Sequence, residues 1–215
     1  MELPIVYKLK RKSQRDLAEL QDEAMEVVYE IFENAVIHGG TAIWRCYNGK
    51  RFSEDIDLYA KCNGDFKELL EKSLKRRGLK LIRSRRTANT VFSEISNDIV
   101  SMKLEITNEI KKGVLAIYEK ANGGTLEVLT LRPQDLLLEK LAAYLSRRKV
   151  RDVYDVYFLS RLVNDIEVKR EADKLLKKIE RPVDEDDLKA IIYEGKVPAF
   201  EEMLEALRLW VKSNI

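Results

Sequence analysis

The chain has 215 residues, 45% hydrophobic and 35% charged, which suits one large domain or two small ones with an apolar core and excludes a disordered chain or a multidomain machine. Lysine plus arginine (39) nearly balances aspartate plus glutamate (37), so bulk charge names no partner and only local clusters can. The most apolar stretches, Val27–Phe32, Ala35–Ile37 and Leu136–Leu138, fall far short of the ~18 consecutive apolar residues of a membrane span, and the opening MELPIVYKLKRKS carries no apolar signal region, so a cytoplasmic protein without membrane contact is expected.

In chain order, Leu17, Leu20, Ala24, Val27, Val28 and Ile31 recur at helical spacing and predict a helix over 13–34, with Ser13 as its N-cap and Asp16 three residues on. Val36–His38 reads as a short strand that stops at Gly39-Gly40. Residues 41–46 read as a short helix, followed by an Asn48-Gly49 turn. Residues 55–59 alternate acidic and apolar side chains, which turns Ile56 and Leu58 to the core and Asp55, Asp57 and Tyr59 to the opposite face. An amphipathic helix over 65–77 closes at Gly78. Strands over 79–83, 90–95 and 99–106, separated by Asn89 and by Ser96-Asn97-Asp98, suggest two successive hairpins. A last strand over 126–131 follows the Asn122-Gly123-Gly124 turn. Beyond Pro133 the pattern is helical throughout, over 134–147, 150–162, 167–179, 185–193 and 199–211.

Gly39-Gly40-Thr41, between a strand and a helix, lets the backbone approach a ligand and presents free amides to an anion, although from these residues alone a tight turn with no ligand is the plainer reading. Asp55 and Asp57 change the balance. Carboxylates at i and i+2 on one strand point the same way and repel, an arrangement that a divalent cation such as Mg²⁺ with a nucleoside triphosphate resolves. A two-metal site needs a third carboxylate. Glu105, between apolar neighbours on a predicted strand, fits better than the turn residue Asp98, with an edge-strand salt bridge as its other reading. Cys46 and Cys62 read as structural reduced thiols, and the single histidine, His38, reads as structural beside Gly39, with a phosphate or base contact open to it. Abundant Glu, Lys and Arg with three Gln is the composition expected of a thermophile protein.

These residues carry a resemblance. His38-Gly39-Gly40-Thr41-Ala42 followed by Arg51-Phe52-Ser53-Glu54-Asp55-Ile56-Asp57-Leu58 resembles the first motif of the AbiEii-type nucleotidyltransferases, within the DNA polymerase β-like nucleotidyltransferase superfamily. Glu139-Lys140-Leu141-Ala142-Ala143, Arg147-Arg148 and Arg151-Asp152-Val153-Tyr154-Asp155 are similar to that family's helical motif. The superfamily's Gly-Ser is Gly-Gly-Thr here, and the third acid is Glu where Asp is frequent. Nothing between Asp65 and Asn97 adds to the likeness, and substrate choice is expected to lie there.

The resemblance implies an α+β fold: a nucleotidyltransferase catalytic domain with a mixed sheet over 1–130, then an all-helical domain over 131–215, with the active site in the cleft between them. It implies Mg²⁺-dependent transfer of a nucleoside monophosphate from an NTP to an acceptor hydroxyl, a transferase of the EC 2.7.7 type. Asp55 and Asp57 would hold two Mg²⁺ ions, with Glu105 on the ion that activates the acceptor. Gly39, Gly40, Thr41, Arg51 and Ser53 would meet the NTP. In the family the lysine and first aspartate of the helical motif line the active site, which assigns Lys140 and Asp152, with Asp155 second. Lys140 and Arg147 or Arg148 lie two helical turns apart and can share a face toward the triphosphate, with a solvated basic helix end as the other reading of the arginines. The protein would be the toxin of a toxin–antitoxin or abortive-infection pair, with a cognate antitoxin as partner and RNA, such as tRNA, or the protein itself as acceptor.

From Lys75 to Arg86 there are seven basic residues and no acid. That block is either a solvated surface or a footprint for an RNA backbone, in which Arg83, Arg85 and Arg86 would bind the acceptor. Arg83 and Arg85 share one strand face and Arg86 the other. No aromatic residue interleaves the block, so base stacking on a single strand is not indicated. The rival readings are a catalytically inactive nucleotide- or RNA-binding module and a nucleotidyltransferase with a protein or small-molecule acceptor.

Overall fold

The computed structural model describes residues 3–62 and 64–213. The chain divides into two compact units. The first gathers the chain up to Asn48 together with Phe52–Leu131, and the second joins Gly49–Arg51 to the chain from Arg132 onward.

Strands β1 (Val36–His38), β2 (Ile56–Tyr59), β3 (Lys80–Arg86), β4 (Thr90–Ser96), β5 (Ser101–Thr107), β6 (Val114–Glu119) and β7 (Thr125–Thr130) form a mixed sheet in the order β3-β4-β5-β2-β1-β7-β6. β3, β4 and β5 make the antiparallel meander implied by the two predicted hairpins, while β2 runs parallel to β5 and antiparallel to β1. β1 in turn runs parallel to β7. Helices α1 (Ile5–Lys8), α2 (Lys12–Ile31), α3 (Gly39–Cys46) and α4 (Phe66–Arg76) belong to the same unit. Val91, Ile106, Leu58 and Ile37 are buried and lie opposite one another in register across β4, β5, β2 and β1, so one side of the sheet is a continuous apolar layer. That layer is the driving force for the sheet, at about 1.5–3 kcal/mol per buried side chain.

Several boundaries differ from the sequence reading for physical reasons. α2 begins at Lys12, one residue before the expected cap: Gln14 Oε1 accepts from the Arg11 amide at 3.4 Å, and Ser13 sits inside the first turn. α3 begins at Gly39, which makes the glycine pair the first residues of a helix. α4 closes as expected, with Gly78 at φ +73° and the Leu79 amide returning to the Leu74 carbonyl at 3.0 Å. β6 and the single turn α1 were not anticipated. β6 buries Tyr118 but leaves Leu115 and Ile117 exposed, so its composition lacks the alternation that announces a strand.

The second unit is helical: α5 (Pro133–Arg147), α6 (Val150–Leu159), α7 (Ile166–Leu176), a 3₁₀ turn (Glu185–Asp187), α8 (Leu188–Ile191) and α9 (Phe200–Lys212). Pro133 occupies the first turn of α5, where its missing N–H costs nothing. Arg148 takes a left-handed conformation at φ +54° and turns the chain into α6. Asp165 caps α7 by accepting from the Glu167 and Val168 amides at 2.9 and 3.2 Å. The helix expected over 185–193 is shorter and broken, because after Ile191 the chain turns extended: Ile192 bridges to Arg51, and Tyr193 donates to the Lys50 and Gly49 carbonyls at 3.2 and 2.7 Å. The α+β architecture with a helical second half is the one the sequence implied. Both cysteines are free, and burial pushes the Cys46 thiol up to about 12, which keeps it unreactive.

Candidate active site

Gly39 is required where β1 meets α3. Its φ is +72°, and a Cβ there would overlap Oδ2 of Asp57, the side chain that β2 presents beside it. Gly39→Ala is therefore expected to lower stability by about 1–3 kcal/mol through backbone strain, and to displace the Asp57 carboxylate as well. Gly78, at φ +73° with open space around its would-be Cβ, supplies the control. Thermal melts should show comparable losses for Gly39→Ala and Gly78→Ala, while nucleotide transfer falls steeply in the first alone.

The segment entering β2 is pinned from two sides. Thr41, buried in the first turn of α3, donates its hydroxyl to the Asp55 carbonyl. Gln21, fully buried on α2, donates to the Ser53 and Glu54 carbonyls at 2.9 and 3.0 Å. These bonds hold the segment Ser53–Asp55 that leads into the strand, which begins at Ile56. Gln21 was missed from sequence, yet it left a signal: a glutamine within the apolar stripe of Ala18, Leu20 and Ala24 in a chain nearly devoid of glutamine.

On the face opposite the apolar layer, register brings five side chains into one row across five strands. Arg85 on β3 pairs with Phe92 on β4, Phe92 with Glu105 on β5, Glu105 with Asp57 on β2, and Asp57 with His38 on β1. An open cleft of about 450 Å³ is lined by Asp55, Asp57, Glu105, Phe92, Arg83 and Arg85. Burial raises the Glu105 pKa, Asp57 and, less strongly, Asp55 raise it further, and His38 across β2 works against them. The His38 ring stacks on Tyr59 with centroids 4.0 Å apart. Three oxygen-donor carboxylates whose mutual repulsion is already expressed on one of them are a donor set that fits a hard divalent cation. Among the described residues, however, no three acidic, histidine or cysteine side chains are gathered as they stand into a group that could hold a metal ion. Ligation would therefore require side-chain rotation on fixed strands.

The basic block is dispersed by the fold. Arg77 pairs with Glu26 and Glu30 on α2, and Lys80 with Asp98 at 2.7 Å. Arg86 turns away from the cleft and donates to the Cys62 carbonyl at 3.0 Å. Arg83 and Arg85 remain at the cleft. The expected lack of aromatic partners is a property of the linear block: Phe92 stands directly across from Arg85, whose guanidinium lies 5.3 Å from the ring centroid.

Within the second unit, the helical-motif residues form a buried ionic cluster. Asp155, fully buried, accepts from Arg51 Nε at 2.5 Å and Nη2 at 2.6 Å, and lies 3.0 Å from Lys140 Nζ. Asp152, also buried, accepts two bonds from Arg147 at 2.7 and 2.8 Å and lies 3.6 Å from Lys140. Burial alone would raise the Asp155 pKa, but Arg51 and Lys140 reverse that and hold its carboxyl below the ordinary carboxylate range. Arg51 is thus committed to Asp155, and Arg148 to Glu180 at 2.7 Å and to the Arg181 carbonyl. Lys140 and Arg147 belong to a group of three cations on two carboxylates.

A model of the family described as nucleotidyl transferase AbiEii toxin, Type IV TA system, matches residues 26–208, a span that contains both the row of Asp57 and the cluster of Asp155. The chain belongs to this family. This AbiEii-family protein is accordingly a nucleotidyltransferase of the toxin–antitoxin class. Solved structures share its fold. JHP933 from Helicobacter pylori superposes with a TM-score of 0.66 at 17% identity, covering 95% of this chain and 92% of that one. MenT4, a nucleotidyltransferase toxin from Mycobacterium tuberculosis H37Rv, gives 0.62 at 15% identity over 94% of this chain and 85% of its own. ANT(2")-Ia, solved in complex with adenylyl-2"-tobramycin, gives 0.51 at 12% identity over 75% of this chain and 97% of its own. No curated protein matches the AbiEii-family chain by sequence. Among its described residues no helix is long and apolar enough to cross a membrane.

Proposed function

We propose that this AbiEii-family enzyme is a toxin that transfers a nucleoside monophosphate from an NTP to a hydroxyl of RNA, such as tRNA, in a Mg²⁺-dependent reaction, and that a cognate antitoxin restrains it. The observation that carries the reading is the row in which Asp57 and Glu105 stand beside the glycine-flanked start of α3, with Arg83 and Arg85 on the same cleft. Asp55 and Asp57 would hold two Mg²⁺ ions, with Glu105 completing one site, and the bound ions would offset triphosphate charge and raise the acceptor hydroxyl's reactivity. The acceptor oxygen attacks the α-phosphorus, the bond to the β-phosphate bridge breaks, and pyrophosphate leaves. Gly39, Gly40, Thr41 and Ser53 shape the approach of the phosphates, Thr41 by holding the Asp55 backbone. Lys140 and Arg147, which together with Arg51 outnumber Asp152 and Asp155 by one charge, would stabilise charge on the departing pyrophosphate.

The test is incubation with each α-labelled NTP, Mg²⁺ and total RNA. Label in RNA is expected. Label confined to protein, or none with any NTP, would overturn the acceptor assignment. For the cleft arginines, Arg83→Ala/Arg85→Ala is expected to weaken RNA binding and lower the slope of log affinity against log salt by about 0.7 per lost phosphate contact, with NTP binding unchanged. Arg86→Ala, which faces away, should leave the slope alone.

A further inference from the structure

We propose that Phe92, backed by Arg85, is the platform on which the base of the acceptor nucleotide stacks, so that the enzyme takes a single-stranded RNA end by base and backbone together; this rests on the RNA-acceptor reading above. The ring is out of place for packing. Its lateral neighbours on the cleft face are Arg85 and Glu105, and its neighbours along β4 on that face are Thr90 and Glu94, so its nearest positions on that face of the sheet are polar or charged. Phe92 is half-buried and lines the cleft itself. A phenyl group in an ionic row gains little from burial, and what it offers is a flat π surface that water hydrates poorly.

The surroundings specify the ligand. Arg85 lies over the ring at 5.3 Å, a cation–π contact that orients the phenyl and extends the stacking surface with a planar guanidinium. Glu105 stands between Phe92 and Asp57, each pair opposed in register on adjacent strands, so Phe92 is two strand spacings, about 10 Å, from Asp57. That is the scale of one nucleotide. A base on Phe92 leaves its sugar hydroxyl toward Glu105 and Asp57, and its phosphate toward Arg83 and Arg85, which line the same cleft. A phenyl ring has no hydrogen-bonding groups, so stacking on it tolerates any base but requires one.

Binding of a labelled short single-stranded RNA with a free 3′-hydroxyl is measured across a salt series for wild type, Phe92→Leu and Phe92→Trp, together with the same RNA carrying an abasic terminal nucleotide. Phe92→Leu should weaken the intact RNA by about 5- to 150-fold, the range for one aromatic–base stack, with an unaltered salt slope. Removing the terminal base should weaken wild type by a similar factor and Phe92→Leu hardly further, because both changes delete one contact. Phe92→Trp should retain affinity and show indole quenching on RNA addition beyond that of wild type, a readout independent of transfer. If Phe92→Leu, folded by its melting curve, binds intact RNA as wild type does, the platform is overturned while the RNA acceptor stands. Unchanged RNA affinity with a raised KM for NTP would instead give the ring to the incoming nucleotide and overturn the proposal. If wild type binds no RNA, the acceptor reading itself fails and this inference with it.

Discussion

Asp57→Asn is expected to reduce nucleotide transfer by about 10³-fold or more, roughly 4 kcal/mol of transition-state stabilisation, while the melting temperature stays level or rises. The two halves of this expectation share one cause. Asp57 is the in-register neighbour of Glu105 and, after burial, the largest influence raising the Glu105 pKa. Removing its charge relieves a repulsion that the protein maintains for function, a trade typically worth about 0.5–2 kcal/mol, or some 1–8 °C in a chain of this size. The sign with pH follows. A carboxyl whose folded pKa is raised binds its proton more tightly than in the unfolded chain, so the folded state loses stability as pH climbs through that raised value. The advantage of Asp57→Asn should therefore be largest at the higher pH, where Glu105 is ionised, and shrink as pH falls through its raised value. Parallel loss of activity and melting temperature would instead make Asp57 a structural residue.

The local parts of this site were legible in sequence because they rest on short-range periodicities. Alternation over Asp55–Tyr59 brought the two aspartates together, and Gly78 marked the end of a helix; in three dimensions the strand begins only at Ile56, but Asp55 and Asp57 line the same cleft and Gly78 closes α4. What could not be read is register between distant strands. Phe92 and Arg85 are seven residues apart and look unrelated along the chain, yet the hairpin sets them opposite each other. Glu105 and Asp57 come together through parallel pairing that no turn dictates. Gln21 is separated by more than thirty residues from the carbonyls it binds. Arg51 illustrates a different limit: it stands three residues before Glu54 in the first motif, where its type suits a phosphate, but the fold assigns its guanidinium to a carboxylate 104 residues later.

That carboxylate is the basis of the second large effect. Asp155→Asn should destabilise the helical unit by about 3–5 kcal/mol, the usual consequence of removing one partner from a buried ion pair, because Arg51 and Lys140 both lose their nearest anion while remaining buried. Asp152 substitutes only in part, since both its oxygens already accept from Arg147 and it stands farther from Lys140, at 3.6 Å, than Asp155 does. The depressed pKa of Asp155 fixes the pH window: the stabilisation is complete above the ordinary carboxylate value of about 3.9 and is lost as pH falls through the lower folded value. Melting curves of wild type and Asp155→Asn should thus differ at neutral pH and converge in strong acid. Replacing the pair as Arg51→Met/Asp155→Leu tests whether the cluster is a simple ion pair. An isolated buried pair is often replaced by apolar residues without loss. Here the double variant should recover only part of the stability, because Lys140 would keep only the more distant Asp152, at 3.6 Å, in place of its 3.0 Å contact with Asp155. Full recovery would mean that Lys140 draws nothing from Asp155, and that the 3.0 Å contact between them contributes no stability.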